Sequence, residues 1–138
     1  MKKVGVWLDK RMAFIVTLEN EKEVLSTIKS EVEEFHPTGG FGLGYKGTPQ
    51  DVLAENKYLE REKHQLRAYF RKIVARIKNA DTLVIFGPAE TSEKFNKELH
   101  QHYQSLSVKI KGVKKADSMT NNQVKAWVRD FFTKYTAV

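Results

Sequence analysis

Three carboxylates stand at the ends of apolar runs: Asp9 after "VGVWL", Glu90 after "LVIFGPA", and Asp117 before "SMTNNQ". Clustered carboxylates hold divalent metal ions in nucleases that activate water against a phosphodiester. Each also has a simpler account. Asp9 precedes Lys10 and Arg11 in a hairpin turn, where aspartate hydrogen-bonds its own backbone. Glu90 falls in a first helical turn, where a carboxylate complements the helix dipole, and Asp117-Ser118 is another turn. His100 and His102 are two apart and so lie on different helix faces. Neither a Ser-His-acid nor an HExxH pattern is present, and with no cysteine there is no thiolate nucleophile or ligand. The sequence therefore nominates no catalytic residue, no metal and no cofactor. A metal-dependent nuclease using Asp9 is kept as an alternative.

Two other stretches carry binding chemistry. "FHPTGGFGLGYKG", Phe35 to Gly47, holds five of the chain's eight glycines. Glycines allow unusual φ angles and close backbone approach. Phe41 and Tyr45 would stack on bases and Lys46 would meet phosphate, with Gly39 and Gly40 shaping the contact. We expect this loop to be exposed and mobile, as a binding tip or as the remnant of one. It lacks the Lys-Ser/Thr of a P-loop. The segment that follows carries Lys57, Arg61, His64, Arg67, Arg71, Lys72 and Lys78 on one side at about 100° per residue. From Gln65 to Asn79 there are five basic residues and no acid. Arginine suits phosphate through its planar donor fork. Lys57, Arg61, Arg67 and Arg71 are the expected phosphate ligands. The bland account is a solvated face with Glu55, Glu60 and Glu62 making local ion pairs.

The elements that must position these residues follow from periodicity. "KVGVWLDKRMAFIVTL" reads as two strands joined at Asp9–Arg11, and "EKEVLSTIKSEVEEF" as a third with Val24, Ser26, Ile28, Ser30 and Val32 on one side. Thr48 caps and Pro49 opens a helix over 49–79. Its inner face is read as Leu59, Lys63, Leu66, Phe70, Ile73, Val74 and Ile77. "DTLVIFG" is nearly continuously apolar, as a strand covered on both sides must be. A second helix spans 88–105, with Phe95, Leu99 and Leu106 inward. "SVKIKGV" alternates as a fifth strand through Val108 and Ile110. Thr120 and Gln123 form a capping box for a last helix over 120–136, whose inner residues are Val124, Trp127, Val128, Phe131 and Tyr135. The order βββ–loop–αβαβα predicts an α/β fold with one mixed sheet, the order of ribonuclease-H-like folds.

At 138 residues, 41% hydrophobic and 30% charged, the chain is expected to form one domain over 1–138. Only Val4–Leu8 is apolar near the N-terminus, too short for a signal peptide or a membrane span. A cytoplasmic protein without membrane contact is expected. Net charge is +7, distributed as −1 over 1–34, +5 over 35–80 and +3 over 81–138. A field concentrated in this way attracts polyanions, nucleic acid above all. A protein-interaction module presenting the loop is the remaining alternative.

The hairpin "LDKRMAFIV", the paired Gly39-Gly40 before the long helix, and "LVIFGPAE" leading into the next resemble a known family. It is that of the central domain of class-1 peptide-chain release factors of eukaryotes and archaea, and the matching domain of the ribosome-rescue protein Pelota. The resemblance implies a role in translation, with ribosomal RNA, tRNA or the ribosome as partner. In the release factors the paired glycines precede a glutamine that promotes ester hydrolysis. Here Phe41 occupies that place, and a phenyl ring neither donates nor accepts the hydrogen bonds that position water. The resemblance therefore implies RNA binding without peptide release.

Overall fold

The computed structural model describes residues 1–32 and 49–136. Three strands come first: β1 (Lys3–Leu8), β2 (Met12–Glu19) and β3 (Lys22–Lys29). Then follow α1 (Pro49–Ile77), β4 (Thr82–Gly87), α2 (Ala89–His102), α3 (Gln104–Ser107), β5 (Ile110–Lys115) and α4 (Asn121–Thr136). The strands form one mixed five-stranded sheet in the order β3-β2-β1-β4-β5. β1 and β2 pair antiparallel, as do β2 and β3, whereas β1–β4 and β4–β5 are parallel. This is the α/β mixed-sheet fold expected from the element order, with "TLVIFG" inside the sheet.

Local chemistry sets the turns. Asp9 Oδ1 accepts hydrogen bonds from the backbone N–H of Arg11 and of Met12, both at 2.8 Å, which closes the β1–β2 connection. The β2–β3 connection has two residues, Asn20 and Glu21, at φ 52° and 65°. Positive φ at both positions matches the right-handed twist of the flanking strands. Thr120 and Gln123 make the reciprocal bonds expected of a capping box: Thr120 N–H to Gln123 Oε1 at 2.9 Å, and Gln123 N–H to Thr120 Oγ1 at 3.2 Å.

Helices cover both faces. β3–α1–β4 and β4–α2–β5 are parallel crossovers running the same way across the sheet, so their shared handedness puts α1 and α2 on one face. There Leu66, Tyr69, Phe70, Ile73 and Ile77 of α1 and Phe95 and Leu99 of α2 pack on Val4, Val6, Leu8, Ile15, Leu83 and Ile85. On the other face Val124, Val128 and Phe132 of α4 pack on Trp7, Val16, Val84 and Phe86. Trp127 stacks on Phe86 with ring centroids 3.8 Å apart and planes 6° apart. The Trp7 indole N–H donates to the Asp117 carbonyl at 3.1 Å, tying β1 to the approach of α4. Gly5 lies beneath α4: a Cβ there would sit 2.4 Å from a Val128 methyl. Gly87, at φ +133°, ends β4 against the Leu8 carbonyl, which a Cβ would approach to 2.5 Å.

Four expectations need correction. Leu59 shares the helical azimuth of Leu66 and Ile77, yet it is 47% exposed, and Lys63 is exposed as well. Azimuth buries a residue only where something lies opposite. At that level of α1 the buried side chain is instead Tyr58. The helix read as 88–105 breaks at Tyr103, whose φ of −137° and ψ of 60° separate α2 from the short α3. Val108 consequently follows α3, 75% exposed, and β5 starts only at Ile110. Among the described side chains of α4 the fully inward aromatic is Phe132, with Trp127 and Phe131 half-buried; the side chain of Tyr135 lies outside the described residues.

Candidate nucleic-acid interface

α1 is a 29-residue helix divided lengthwise by its burial. Tyr58, Leu66, Tyr69, Phe70, Ile73, Val74 and Ile77 are buried, while Lys57, Arg61, His64, Arg67, Arg71, Lys72, Arg76 and Lys78 are exposed. Lys57, Arg61, Arg67 and Arg71 fall within an arc of about 120° of the helix, and Lys57 to Lys78 spans roughly 30 Å along its axis. The structure thus brings four of the five expected phosphate ligands onto one exposed face. The fifth, Lys46, lies outside the described residues, as do Gly39, Gly40, Phe41, Tyr45 and Thr48, the cap expected from the sequence.

The buried stripe of α1 holds that face outward, and polar ties on the inner flank add to it. Lys10 Nζ lies 2.8 Å from Glu62 Oε2, Lys94 Nζ is 3.9 Å from Glu62 Oε1, and Lys94 also pairs with Glu90 at 3.1 Å. One carboxylate of α1 therefore meets the β1–β2 turn and the first turns of α2. Burial pushes the Glu62 carboxyl up, but hydrogen bonds from Lys10 and Tyr58 and the charges of Lys10 and Lys94 outweigh it, leaving it below its ordinary value. Its hydrogen bond to Glu62 raises Lys10 in turn. A second tie is the Tyr69 hydroxyl, which donates to the Asp9 carbonyl at 3.0 Å. Burial, with the charge of Asp9 adding to it, pushes the Tyr69 phenol far above its usual range, so it remains a donor throughout the physiological span. Glu62 is thereby drawn to this inner flank, away from the outer face.

The sequence pattern missed Tyr58, Glu62 and Tyr69. Their 58–62–69 spacing follows the helix period, but a glutamate within an apolar stripe reads as a polar interruption until its partner is known.

The carboxylates weighed for metal chemistry are only partly gathered. Asp9 and Glu90 line a cleft of about 280 Å³ with Lys10, Arg11, Leu66, Pro88, Thr91 and Lys94, beyond the carboxyl ends of β1 and β4. Asp117 is not among its lining residues. Asp9 Oδ1 is committed to two backbone N–H groups, and Glu90 to Lys94. Among the described residues no group of three or more His, Asp or Glu side chains is placed to hold a metal ion. His100 and His102 are both exposed. Among the described residues, too, no helix is long and apolar enough to cross a membrane.

No protein-family model matches the sequence, and no curated protein matches it. Solved structures do. Pelota from Thermoplasma acidophilum aligns over 94% of this chain and 32% of its own, with a TM-score of 0.55 and 19% identity. Pelota from Archaeoglobus fulgidus aligns over 99% of this chain and 36% of its own, with a TM-score of 0.53 and 12% identity. The archaeal translation termination factor aRF1 aligns over 99% of this chain and 40% of its own, with a TM-score of 0.47 and 10% identity. The chain spans about a third of the length of the Pelota structures it resembles. The likeness is one of fold, and that fold is the one shared with the Pelota structures.

Proposed function

We propose that this chain is a noncatalytic RNA-binding protein of the translation apparatus, whose α1 outer face grips phosphates of ribosomal RNA or tRNA. One observation carries the reading: Lys57, Arg61, Arg67 and Arg71 share an exposed helix face, and no acid occurs from Gln65 to Asn79. Such a face gives an affinity that depends on released counterions. The Pelota-like fold supports placing that RNA in translation. In this reading residues 1–138 act as one cytoplasmic domain. Gly39, Gly40, Phe41, Tyr45 and Lys46 make a distal contact, with the two aromatics stacking on bases.

The test is titration of a labelled single-stranded RNA across a salt series, with the Arg67→Glu/Arg71→Glu variant beside the parent. The variant should bind more weakly. Its slope of log K against log salt should become shallower by about 0.7 for each phosphate no longer neutralised. A variant with the parent's affinity and slope would refute the assignment. Co-sedimentation with ribosomes from a native lysate, abolished by ribonuclease, would join the RNA to translation.

A further inference from the structure

The second concentration of positive charge lies on a sheet edge, away from α1. Among the described residues β5 pairs with β4 alone and closes one side of the sheet. Half of an edge strand's backbone N–H and C=O groups point away from its sole neighbour. Within and beside β5 are Lys109, Lys111, Lys114 and Lys115, and no acidic residue occurs between Glu98 and Asp117. Lys111, Lys114 and Lys115 are exposed. Two apolar side chains share the region, Val108 at 75% and Val113 at 36% exposure. The opposite edge differs: β3 carries Glu23 among its lysines, and Arg129 of α4 pairs with that Glu23 at 2.9 Å.

The β5 charge is not an extension of the α1 face. α2 packs over β4 and β5 on the α1 side of the sheet, and it bears Glu90, Glu93 and Glu98 against Lys94 and Lys97. A phosphate chain leaving α1 would cross this acid-bearing helix before reaching β5. The edge also offers what a phosphate track does not need: a directional hydrogen-bonding ladder and exposed valines. Lysines on an edge repel a like strand, including a second copy of β5, and the same charges select an acidic one. We infer that β5 is a docking edge for an acidic, extended peptide segment of a partner protein. The segment would add as a sixth strand, its backbone pairing with β5, its acids on the face of Lys114 and its apolar residues on the opposite face by Val113, with Lys115 beside that face.

The probe is a short fluorescein-labelled peptide alternating glutamate and valine, titrated by anisotropy against the full chain. Binding is expected, with slowed amide hydrogen exchange in Ile110–Lys115. Lys114→Glu/Lys115→Glu should weaken it about tenfold or more, since like charges then face each other. N-methylation of alternate peptide amides should weaken it comparably by removing ladder hydrogen bonds. Arg67→Glu/Arg71→Glu should leave it unchanged, which separates this edge from the α1 reading. The inference fails if the peptide does not bind, or if binding survives N-methylation, which would mean unspecific attraction. It also fails if the β5 double variant instead weakens a single-stranded RNA, which would make the edge a phosphate surface.

Discussion

The Lys10 ammonium lies 2.8 Å from Glu62 Oε2, joining a hairpin turn at one end of the sheet to the middle of α1. The side chains are unequally wet, with 38% of Lys10 and 14% of Glu62 exposed. Lys94 completes the group from α2. The pair ties α1 to that turn, while the buried stripe of Leu66, Phe70, Ile73 and Ile77 seats the helix and turns Arg67 and Arg71 outward. It acts beside Tyr69, whose hydroxyl reaches the carbonyl of Asp9 in the same turn.

Glu62→Gln should cost about 1 kcal/mol, the upper end for a partly exposed pair, and the cost should depend on pH. The folded state lowers the Glu62 pKa, so its contribution is present above the unfolded carboxylate value, near pH 4.3. It is lost as pH falls through the folded value. Lys10 is shifted up, so its contribution is whole below about pH 10.4 and lost as pH rises through the folded value. The melting-temperature difference between parent and variant should therefore be flat from roughly pH 5 to 9 and shrink in acid and strong alkali. A difference that grows in acid would contradict the pairing.

Tyr69→Phe keeps the ring contacts with Phe70, at a centroid distance of 5.8 Å, and removes only the hydroxyl. The Asp9 carbonyl then loses its donor, at a cost of about 1 kcal/mol. In a urea titration the midpoint should fall with the slope unchanged, since the exposed area is the same. An unaltered midpoint would mean water replaces the hydroxyl without loss.

These two ties are not legible in the sequence. The element order, the Thr120–Gln123 box and the outer cations of α1 were legible because each depends on neighbours within a few residues or on one helical period. Lys10 and Glu62 are 52 residues apart, and Tyr69 and Asp9 are 60 apart. Nothing local couples either pair. Leu59 failed for the converse reason: its azimuth was right, but no periodicity says how far the covering layer extends. The break at Tyr103 was equally hidden, because Leu106 is buried and continues the apolar spacing of Phe95 and Leu99 across it.

Thr120→Ala should cost about 1 kcal/mol, as loss of an N-cap does. The Gln123 amide N–H loses its side-chain acceptor, while Gln123 Oε1 can still reach the Thr120 backbone N–H. Thr120→Asn, which restores an acceptor, should recover most of it. Loss of stability in both variants alike would show that the methyl group matters rather than the cap. Thermal unfolding followed by far-ultraviolet circular dichroism separates the two.

Gly5 and Val128 should couple strongly. A Cβ at position 5 would lie 2.4 Å from one Val128 methyl and 2.9 Å from the other. Both belong to the packed region between β1 and α4, where Val128 is fully buried. Gly5→Ala forces the helix or the valine to shift, an overpacking cost of about 1–3 kcal/mol. Val128→Ala alone removes the methyls and leaves a small cavity, with a cost of similar size. In the double variant the new methyl occupies part of the vacated space, so the combined cost should fall clearly below the sum of the two. A double-mutant cycle by denaturant titration measures this directly, with the shortfall expected at about 1 kcal/mol or more for groups that touch. Strict additivity would mean that α4 moves away as a unit when position 5 gains a side chain. In that case the near-parallel stack of Trp127 on Phe86 should be disturbed too, and tryptophan fluorescence of Gly5→Ala would report it.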